Sequence, residues 1–229
     1  MTSLLASFAV LALVGGVVAL DGTSVGQVML SRPLVAGTLG GLLVGAPAQG
    51  AMAGVVLEAL HLAVLPVGAA RYPEGGPAAL VAGAFYAASD PGTDHGPGVY
   101  GGLLLVTVFA LAWEWVGAAS VEWMRRFNVR FAGVPRPEDA DPAAVARRHG
   151  TAIALDYARG AGVTLGGALA LWALLRAVPL DDFPEDWARW VVGASVAAGT
   201  ASALRLFGRS HYPLFLGGAA LAALLAWLR

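Results

Sequence analysis

The sequence predicts an all-α integral membrane protein, a polytopic helical bundle with re-entrant or broken helices. Hydrophobic residues make up 58% of the chain and charged residues only 13%, whereas soluble domains average about 45–50% and about 25%. Several apolar runs approach the roughly 20 residues that a spanning helix needs. The 31 glycines are typical of helices that pack closely in lipid. We therefore expect one membrane-embedded domain over residues 1–229, surrounded by a lipid bilayer.

Composition also excludes several functions. The chain has no cysteine, so it forms no disulfide or thiolate metal site. Its four histidines are scattered without metal-ligand spacing, and no phosphate-binding loop, nucleophile elbow, zinc-protease or dinucleotide-binding motif occurs. A net charge of −1 gives no reason to expect nucleic-acid binding. We expect no metal, no cofactor and no catalytic residue on this chain.

The first third of the chain contains one span and a shorter hairpin. Ser3–Leu20 is a first span rather than a secretory signal, because no positively charged segment precedes it. After the polar stretch Asp21–Arg32, two short apolar runs, Leu34–Ala46 and Gly50–Leu65, are separated by a predicted turn at Pro47–Gly50. Such a hairpin is typical of a re-entrant or broken helix. Two ordinary helices with shifted boundaries remain the alternative.

Charged residues in the later part of the chain predict on which side of the membrane its loops lie. Val99–Ser120 is a full-length span that ends in tryptophans, as at a membrane interface. Residues 121–149 carry six arginines and are predicted to form a cytoplasmic loop. Acidic loops at Ser89–Gly98 and Asp181–Asp186 then face the opposite side. This alternation predicts one crossing between successive loops after Val99, whereas earlier charges leave the orientation open.

Glu58 is flanked by apolar residues on both sides. A carboxylate at bilayer depth costs about 2–3 kcal/mol or more, so it is protonated, paired or facing a polar cavity. His61 shares its helix face three residues later. The two side chains could bind a polyol or carry protons. The alternatives are that Glu58 only pairs with a neighbouring helix and that His61 is a packing histidine, which for His61 is the favoured interpretation.

A polar cluster precedes the hairpin. Asp21, Thr23, Ser24 and Gln27 offer the paired donors and acceptors that suit sugar hydroxyls. An ordinary interfacial loop, with Asp21 or Thr23 as a helix cap, explains them equally well.

Other intramembrane polar residues are predicted to be structural. Glu114 is close to the end of its span and is expected to reach headgroups or water. Asp156 and Arg159 have the i,i+3 spacing of a pair within one helix. Glycines recur every fourth residue at Gly37, Gly41 and Gly45, which predicts a small-residue packing face.

Three segments, in this order along the chain, carry a family resemblance. They are GQVMLSRPLVAGTLGGLLVG at Gly26–Gly45, GAMAGVVLEALHL at Gly50–Leu62 and VGAARYPE at Val67–Glu74. Leu20–Glu74 resembles the enzyme IIC subunit of the mannose/fructose/sorbose family of sugar phosphotransferase systems. The segment at Arg205–Gly218 resembles the closing part of that family more weakly. The residues that match the motif positions are Arg32, Pro33, Leu34, Gly45, Glu58, Gly68, Pro73 and Glu74.

The resemblance implies an elevator-type core with a scaffold, in a bacterial inner membrane. It implies a permease subunit that translocates a hexose-type sugar within an oligomeric complex. The implied partners are a membrane IID subunit and the cytoplasmic IIB and IIA components. Glu58 is marked as a sugar contact, with Gln27, His61 and Asp21 as further candidates. Before Gly68, where the family often has a polar residue, the residues are apolar here, namely Leu65, Pro66 and Val67. This leaves open an altered specificity or a relative uncoupled from phosphorylation.

Two other functions therefore remain open. The chain could be a transporter of sugar or another small polar solute that is uncoupled from phosphorylation, with protons moving through Glu58 and His61. It could also be a membrane scaffold that transports nothing, in which these polar groups only join helices.

Overall fold

The computed structural model describes residues 2–64, 72–89, 97–132, 141–179 and 187–227, and these contain eight α-helices and no strand. The prediction of an all-α protein is confirmed. Three described segments are long and apolar enough to cross a membrane, namely Leu5–Thr23, Gly102–Arg130 and Pro142–Ala177. Gly68, His95 and the acidic loop Asp181–Asp186 lie outside the described residues.

The helices follow the predicted apolar runs, with shifted ends. Their bounds are α1 Thr2–Thr23, α2 Pro33–Leu43, α3 Pro47–Leu60, α4 Gly75–Ser89, α5 Pro97–Ala132, α6 Pro142–Ala177, α7 Trp187–Phe207 and α8 Tyr212–Trp227, with a short 3₁₀ turn Arg209–His211 before α8.

The hairpin consists of two short helices that both begin with proline. Pro33 and Pro47 occupy the first turns of α2 and α3, where proline loses no hydrogen bond. The predicted turn at Pro47–Gly50 was therefore wrong, and the connection instead runs through Val44–Ala46, where Gly45 has φ +83°. With 11 and 14 residues, each helix is shorter than the roughly 30 Å of hydrocarbon. This favours the broken-helix interpretation.

Glycines bring the backbones of the hairpin together. A Cβ added to Gly37 would lie 2.8 Å from Gly54 Cα, and one added to Gly41 would lie 2.7 Å from Gly50 Cα. The predicted small-residue face is confirmed at these two positions. Gly45 does not belong to it, because a Cβ there would meet nothing within 4 Å. Its role is the turn, since a positive φ favours glycine.

Helix α4 is the centre of the bundle. Nearly all of its residues are buried, and it packs against α1, α2, α3, α5 and α6. Helix α1 also lies along α6. In the segment that leads into α4, Glu74, Gly76 and Pro77 are buried, whereas Tyr72, Pro73 and Gly75 are half-buried.

Residues 121–149 were predicted to form a loop, and this was wrong where the structure describes them. Helix α5 continues to Ala132 and α6 already begins at Pro142. The Asp141 side chain accepts hydrogen bonds from the backbone N–H groups of Ala143 and Ala144, both at 3.1 Å, which caps α6. Each of these helices has 36 residues, or about 54 Å, so both extend beyond a bilayer.

Candidate functional site

A cavity of about 630 Å³ lies where the C-terminal end of α1 meets the hairpin. Two of its walls come from the end of α1, between Val18 and Thr23, and from the segment that leads into α2. The others come from the end of α3 near His61, from the segment Tyr72–Pro77 and from the part of α5 between Ala118 and Arg126. Cavities of about 300–1,000 Å³ are typical of small-molecule sites. The site therefore has room for a small polar solute.

Asp21 organises the loop that forms one wall. Its Oδ1 accepts a hydrogen bond from Val28 N at 2.6 Å, and its Oδ2 accepts from Ser31 N at 2.8 Å and from Ser31 Oγ at 3.0 Å. Its side chain is buried in the last turn of α1, so it does not cap the start of a helix. Both carboxylate oxygens are engaged with the loop, although Asp21 also borders the cavity.

Within this loop, Gln27 and Met29 have positive φ angles of 54° and 70°. Such angles are uncommon for residues other than glycine and mark local strain, which the surrounding contacts must hold. Both residues line the cavity, and Gln27 is exposed. The hydrogen bonds to Asp21 thus hold an amide side chain in the wall of the cavity.

Glu58 is paired with Arg32. Its Oε1 accepts from Arg32 Nε at 2.8 Å and from Arg32 Nη2, and its Oε2 accepts from Leu34 N at 3.2 Å. The carboxylate therefore connects α3 to the positive N-terminal end of α2. Arg32 lines the cavity, whereas Glu58 is not among the lining residues. Arg32 thus joins the two arms of the hairpin.

His61 faces Glu114 and not Glu58. Its Nε2 lies 2.8 Å from Glu114 Oε2, and its Nδ1 lies 2.7 Å from the carbonyl oxygen of Leu57. The side chains of His61 and Glu114 are only 7% and 6% exposed. The prediction that Glu114 reaches headgroups or water was wrong, because α3 and Glu74 cover it. His61 borders the cavity. Its Nδ1 is hydrogen-bonded to Leu57, whereas its Nε2 lies in an ion-pair contact with Glu114 and has no hydrogen bond of regular geometry to a described residue.

Arg159 joins two buried carboxylates. Its Nη1 and Nη2 donate to Glu74 at 2.7 and 2.6 Å, and its Nε donates to Asp156 Oδ1 at 2.9 Å. The predicted pair of Asp156 and Arg159 is confirmed. The second carboxylate was missed, although Arg159 within an apolar segment implies more than one partner.

The same network reaches α1 and α5. Asp156 Oδ2 accepts from Thr23 Oγ1 at 2.5 Å and from Ser24 Oγ, and Arg159 Nη1 also donates to Ser120 Oγ at 2.7 Å. Thr23 and Ser24, predicted as possible sugar contacts, thus bind a carboxylate of α6. Glu74 lines the cavity, so the network forms the base of one wall.

Several of the residues that match the family motif lie in different parts of the cavity wall. Pro33 begins α2 and lines the cavity, and Pro73 and Glu74 line it from the segment that leads into α4. Tyr72 belongs to the same segment, and its hydroxyl donates to the carbonyl oxygen of Gly22 at 3.0 Å. The resemblance segment from Arg32 to Glu74 therefore surrounds the cavity.

The cavity lies toward the arginine-rich end of α5. Arg125 and Arg126 are among its lining residues, with Glu122, which accepts from Arg126 at 2.5 Å. This is the end that the positive-inside rule predicts to be cytoplasmic.

Fold and cavity together define a helical membrane protein with a solute-sized, partly polar cavity beside a broken-helix hairpin. A solved structure described as "Structure of membrane protein" is similar to the chain at 23% sequence identity, with a TM-score of 0.70, covering 94% of this chain and 86% of that one. This likeness confirms the fold.

The family described as the sorbose-specific IIC component of the PTS system matches residues 5–127, more than half of the 229 residues, and the chain belongs to this family. No curated protein matches significantly. The match contains the whole resemblance segment Leu20–Glu74 and all cavity-lining residues, but not the weaker likeness at Arg205–Gly218. Family membership places the chain among the membrane components of sugar phosphotransferase systems.

Proposed function

We propose that this chain is the permease subunit of a phosphoenolpyruvate-dependent sugar phosphotransferase system and translocates a hexose-type sugar. It crosses a bacterial inner membrane several times and works in an oligomeric complex with a IID membrane subunit. The cytoplasmic IIB and IIA components carry the phosphoryl group, so this chain needs no phosphorylated residue. One observation carries the proposal: residues of the family-matched part of the chain surround a cavity with hydrogen-bonding walls.

The lining of the cavity suits a sugar. Gln27 supplies two donors and an acceptor from one planar amide. Ser31 and Tyr72 add hydroxyl oxygens that can accept, since their protons are donated to Asp21 and to Gly22. Val18 and Val121 supply apolar surface for the C–H groups of a pyranose ring. A mixture of mostly apolar walls with a few placed polar groups is the usual composition of a small-molecule site.

We propose that Gln27 contacts the sugar directly and that Asp21 acts as a positioning residue. The Asp21 oxygens already accept three hydrogen bonds from the loop, which holds Gln27 at its positive φ. A side chain held in this way loses less conformational freedom when it binds a ligand. His61 is a less suitable donor to the sugar, because its Nδ1 is hydrogen-bonded to Leu57 and its Nε2 lies 2.8 Å from the Glu114 carboxylate.

Glu58 acts through Arg32 in this proposal. The ion pair orients the Arg32 guanidinium, whose side chain keeps 35% exposure beside the cavity and retains donors for hydroxyl groups. Because Glu58 also accepts from α2, sugar binding at Arg32 is coupled to both arms of the hairpin. A rigid hairpin that shifts as a unit is the element expected for elevator-type alternating access.

The position of the cavity fits coupling to phosphorylation. It lies near Arg125 and Arg126, at the end predicted to be cytoplasmic, where a soluble IIB component has access to a bound sugar. The cavity therefore corresponds to an inward-facing site.

The test is sugar uptake by the complex of this chain with its IID partner. Wild type is expected to take up sugar only when phosphoenolpyruvate and the soluble components are present. Gln27→Ala is expected to weaken sugar binding about tenfold or more, since losing one hydrogen bond of about 1–3 kcal/mol corresponds to that factor. Val28→Ala is the matched control, because Val28 is the exposed neighbour in the same loop but does not line the cavity.

Other outcomes would contradict the proposal. Uptake driven by a pH gradient without phosphoenolpyruvate would mean a transporter uncoupled from phosphorylation. Absence of any uptake by the intact complex, across a panel of hexoses, would mean a scaffold. Equal sugar affinity in Gln27→Ala and Val28→Ala would remove Gln27 from the site but leave the transport function standing.

A further inference from the structure

A buried pair of titratable groups connects the hairpin to α5 and has no part in sugar recognition as proposed above. His61 caps the end of α3, and Glu114 belongs to α5. Their atoms Nε2 and Oε2 are 2.8 Å apart, and the side chains are 7% and 6% exposed.

The number of protons at this pair follows from its partners. The carbonyl oxygen of Leu57 can only accept, so Nδ1 of His61, 2.7 Å away, carries a hydrogen. The contact between Nε2 and Oε2 then carries one proton, as imidazolium beside carboxylate, although Nε2 has no hydrogen bond of regular geometry. Without that proton, two acceptor atoms would lie 2.8 Å apart between side chains that are only 7% and 6% exposed. Such a buried contact between two acceptors is strongly unfavourable.

We propose that His61 and Glu114 form a binding site for one proton, and that the bound proton holds the hairpin of α2 and α3 against α5. Release of the proton leaves two acceptors in contact and separates the hairpin from α5. This proposal does not depend on the identity of the transported solute, because it concerns a contact between helices of this chain.

The surrounding charged groups are otherwise paired or distant along their helices. Arg32 binds Glu58, and Glu74, whose backbone N–H donates to the Glu114 carbonyl oxygen at 3.1 Å, is bound to Arg159. Helices α2 and α4 carry no acidic or basic side chain. Asp156 is bound to Arg159. The other charged groups on α5 itself are Glu122, Arg125, Arg126 and Arg130. Those on the helices packed against α3 and α5 are Arg147, Arg148, His149 and Arg176 of α6, and Arg189 and Arg205 near the two ends of α7.

The pair predicts the direction of a pH effect on stability. In the unfolded chain, histidine loses its proton near the usual pKa of about 6.5 and glutamate near the usual pKa of about 4.3. Above about pH 6.5 the folded protein thus holds one proton more than the unfolded chain. Its stability therefore falls as the pH rises further, until the pair itself releases its proton.

Glu114→Gln tests the effect of this proton separately from the effect of side-chain packing at position 114. Its amide can donate to Nε2 without a titratable proton. Thermal unfolding of the purified full chain should then show a decline above about pH 6.5 in wild type that is absent in Glu114→Gln. Glu122→Gln removes another carboxylate of the same helix, which is 42% exposed and pairs with Arg126 rather than with His61. It is the matched control and should show the wild-type pH dependence of unfolding.

Two further measurements use the wild-type background. Nitrogen-15 NMR should show that His61, assigned with His61→Gln, keeps both ring protons above about pH 6.5. Because the chain has no cysteine, spin labels at Met52→Cys on α3 and Val108→Cys on α5, both exposed positions, can report the helix separation. That distance should increase at alkaline pH, and the added Glu114→Gln should abolish the change.

The expected results support a single-proton site. The same pH slope of stability in wild type and Glu114→Gln, or loss of a His61 ring proton near about pH 6.5, would overturn it. A spin-label distance that is independent of pH in wild type would overturn the link between the proton and the hairpin. The NMR measurement on wild type decides the question even if Glu114→Gln does not fold.

Discussion

Gly83→Ala is expected to separate α2 from α4 and to destabilise the protein. A Cβ on Gly83 would lie 2.2 Å from Gly37 O and 2.7 Å from Gly37 Cα, whereas carbon atoms pack comfortably at about 3.5 Å. The helices must therefore move apart by about 1 Å, because a backbone carbonyl cannot rotate away as a side chain can. Overpacking of this kind costs about 1–3 kcal/mol, and the higher helix propensity of alanine returns at most about 1 kcal/mol.

The expected net loss is therefore about 1 kcal/mol, which for a chain of this length lowers the unfolding temperature by roughly 2–4 °C. The assay is thermal unfolding of the purified protein in one detergent. Gly162→Ala is the matched control, since it is also a helical glycine but a Cβ there meets nothing within 4 Å. It should unfold at the same temperature as wild type or slightly higher. Equal unfolding temperatures for the two variants would refute the close packing of α2 and α4.

Three further changes have expected outcomes in the same assays. Arg159→Ala leaves two buried carboxylates without their partner and should cost about 3–5 kcal/mol, whereas Arg126→Ala, in an exposed pair, should cost at most about 1 kcal/mol. Asp141→Ala removes the cap of α6 and should cost about 1 kcal/mol, with Asp141→Asn restoring most of it. Asp21→Asn keeps a single acceptor oxygen for a loop that uses two, so sugar affinity should fall as for Gln27→Ala, measured by equilibrium binding. An unchanged affinity would contradict the positioning role of Asp21.

The sequence predicts that intramembrane charges are paired, but it does not identify the partner of each charge. The cost of a lone carboxylate in lipid predicts that Glu58 has a partner or faces a cavity. The partner, Arg32, stands 26 positions earlier in the chain, beyond the helix spacings from which a pair can be predicted. Glu114 was expected at the membrane surface because it lies near the end of a hydrophobic run, but α5 continues well beyond that run.

The sequence by itself determined the helical membrane class and the family. Both depend on properties that are local in the chain, namely the hydrophobicity of segments about 20 residues long and the order of short motifs between Gly26 and Glu74. It also determined the Asp156–Arg159 pair and the packing of Gly37 and Gly41, because i,i+3 and i,i+4 neighbours share a helix face whatever the tertiary fold.

Only the tertiary structure decided which distant groups meet. Arg159 reaches Glu74 across 85 positions of the chain, and Glu58 reaches Arg32 across 26. The physical rule that a buried charge needs a partner is the same for every candidate carboxylate, so it cannot select among them. That selection follows from how α1, α4, α5 and α6 pack, and the same packing creates the cavity that Gln27 and Arg32 border.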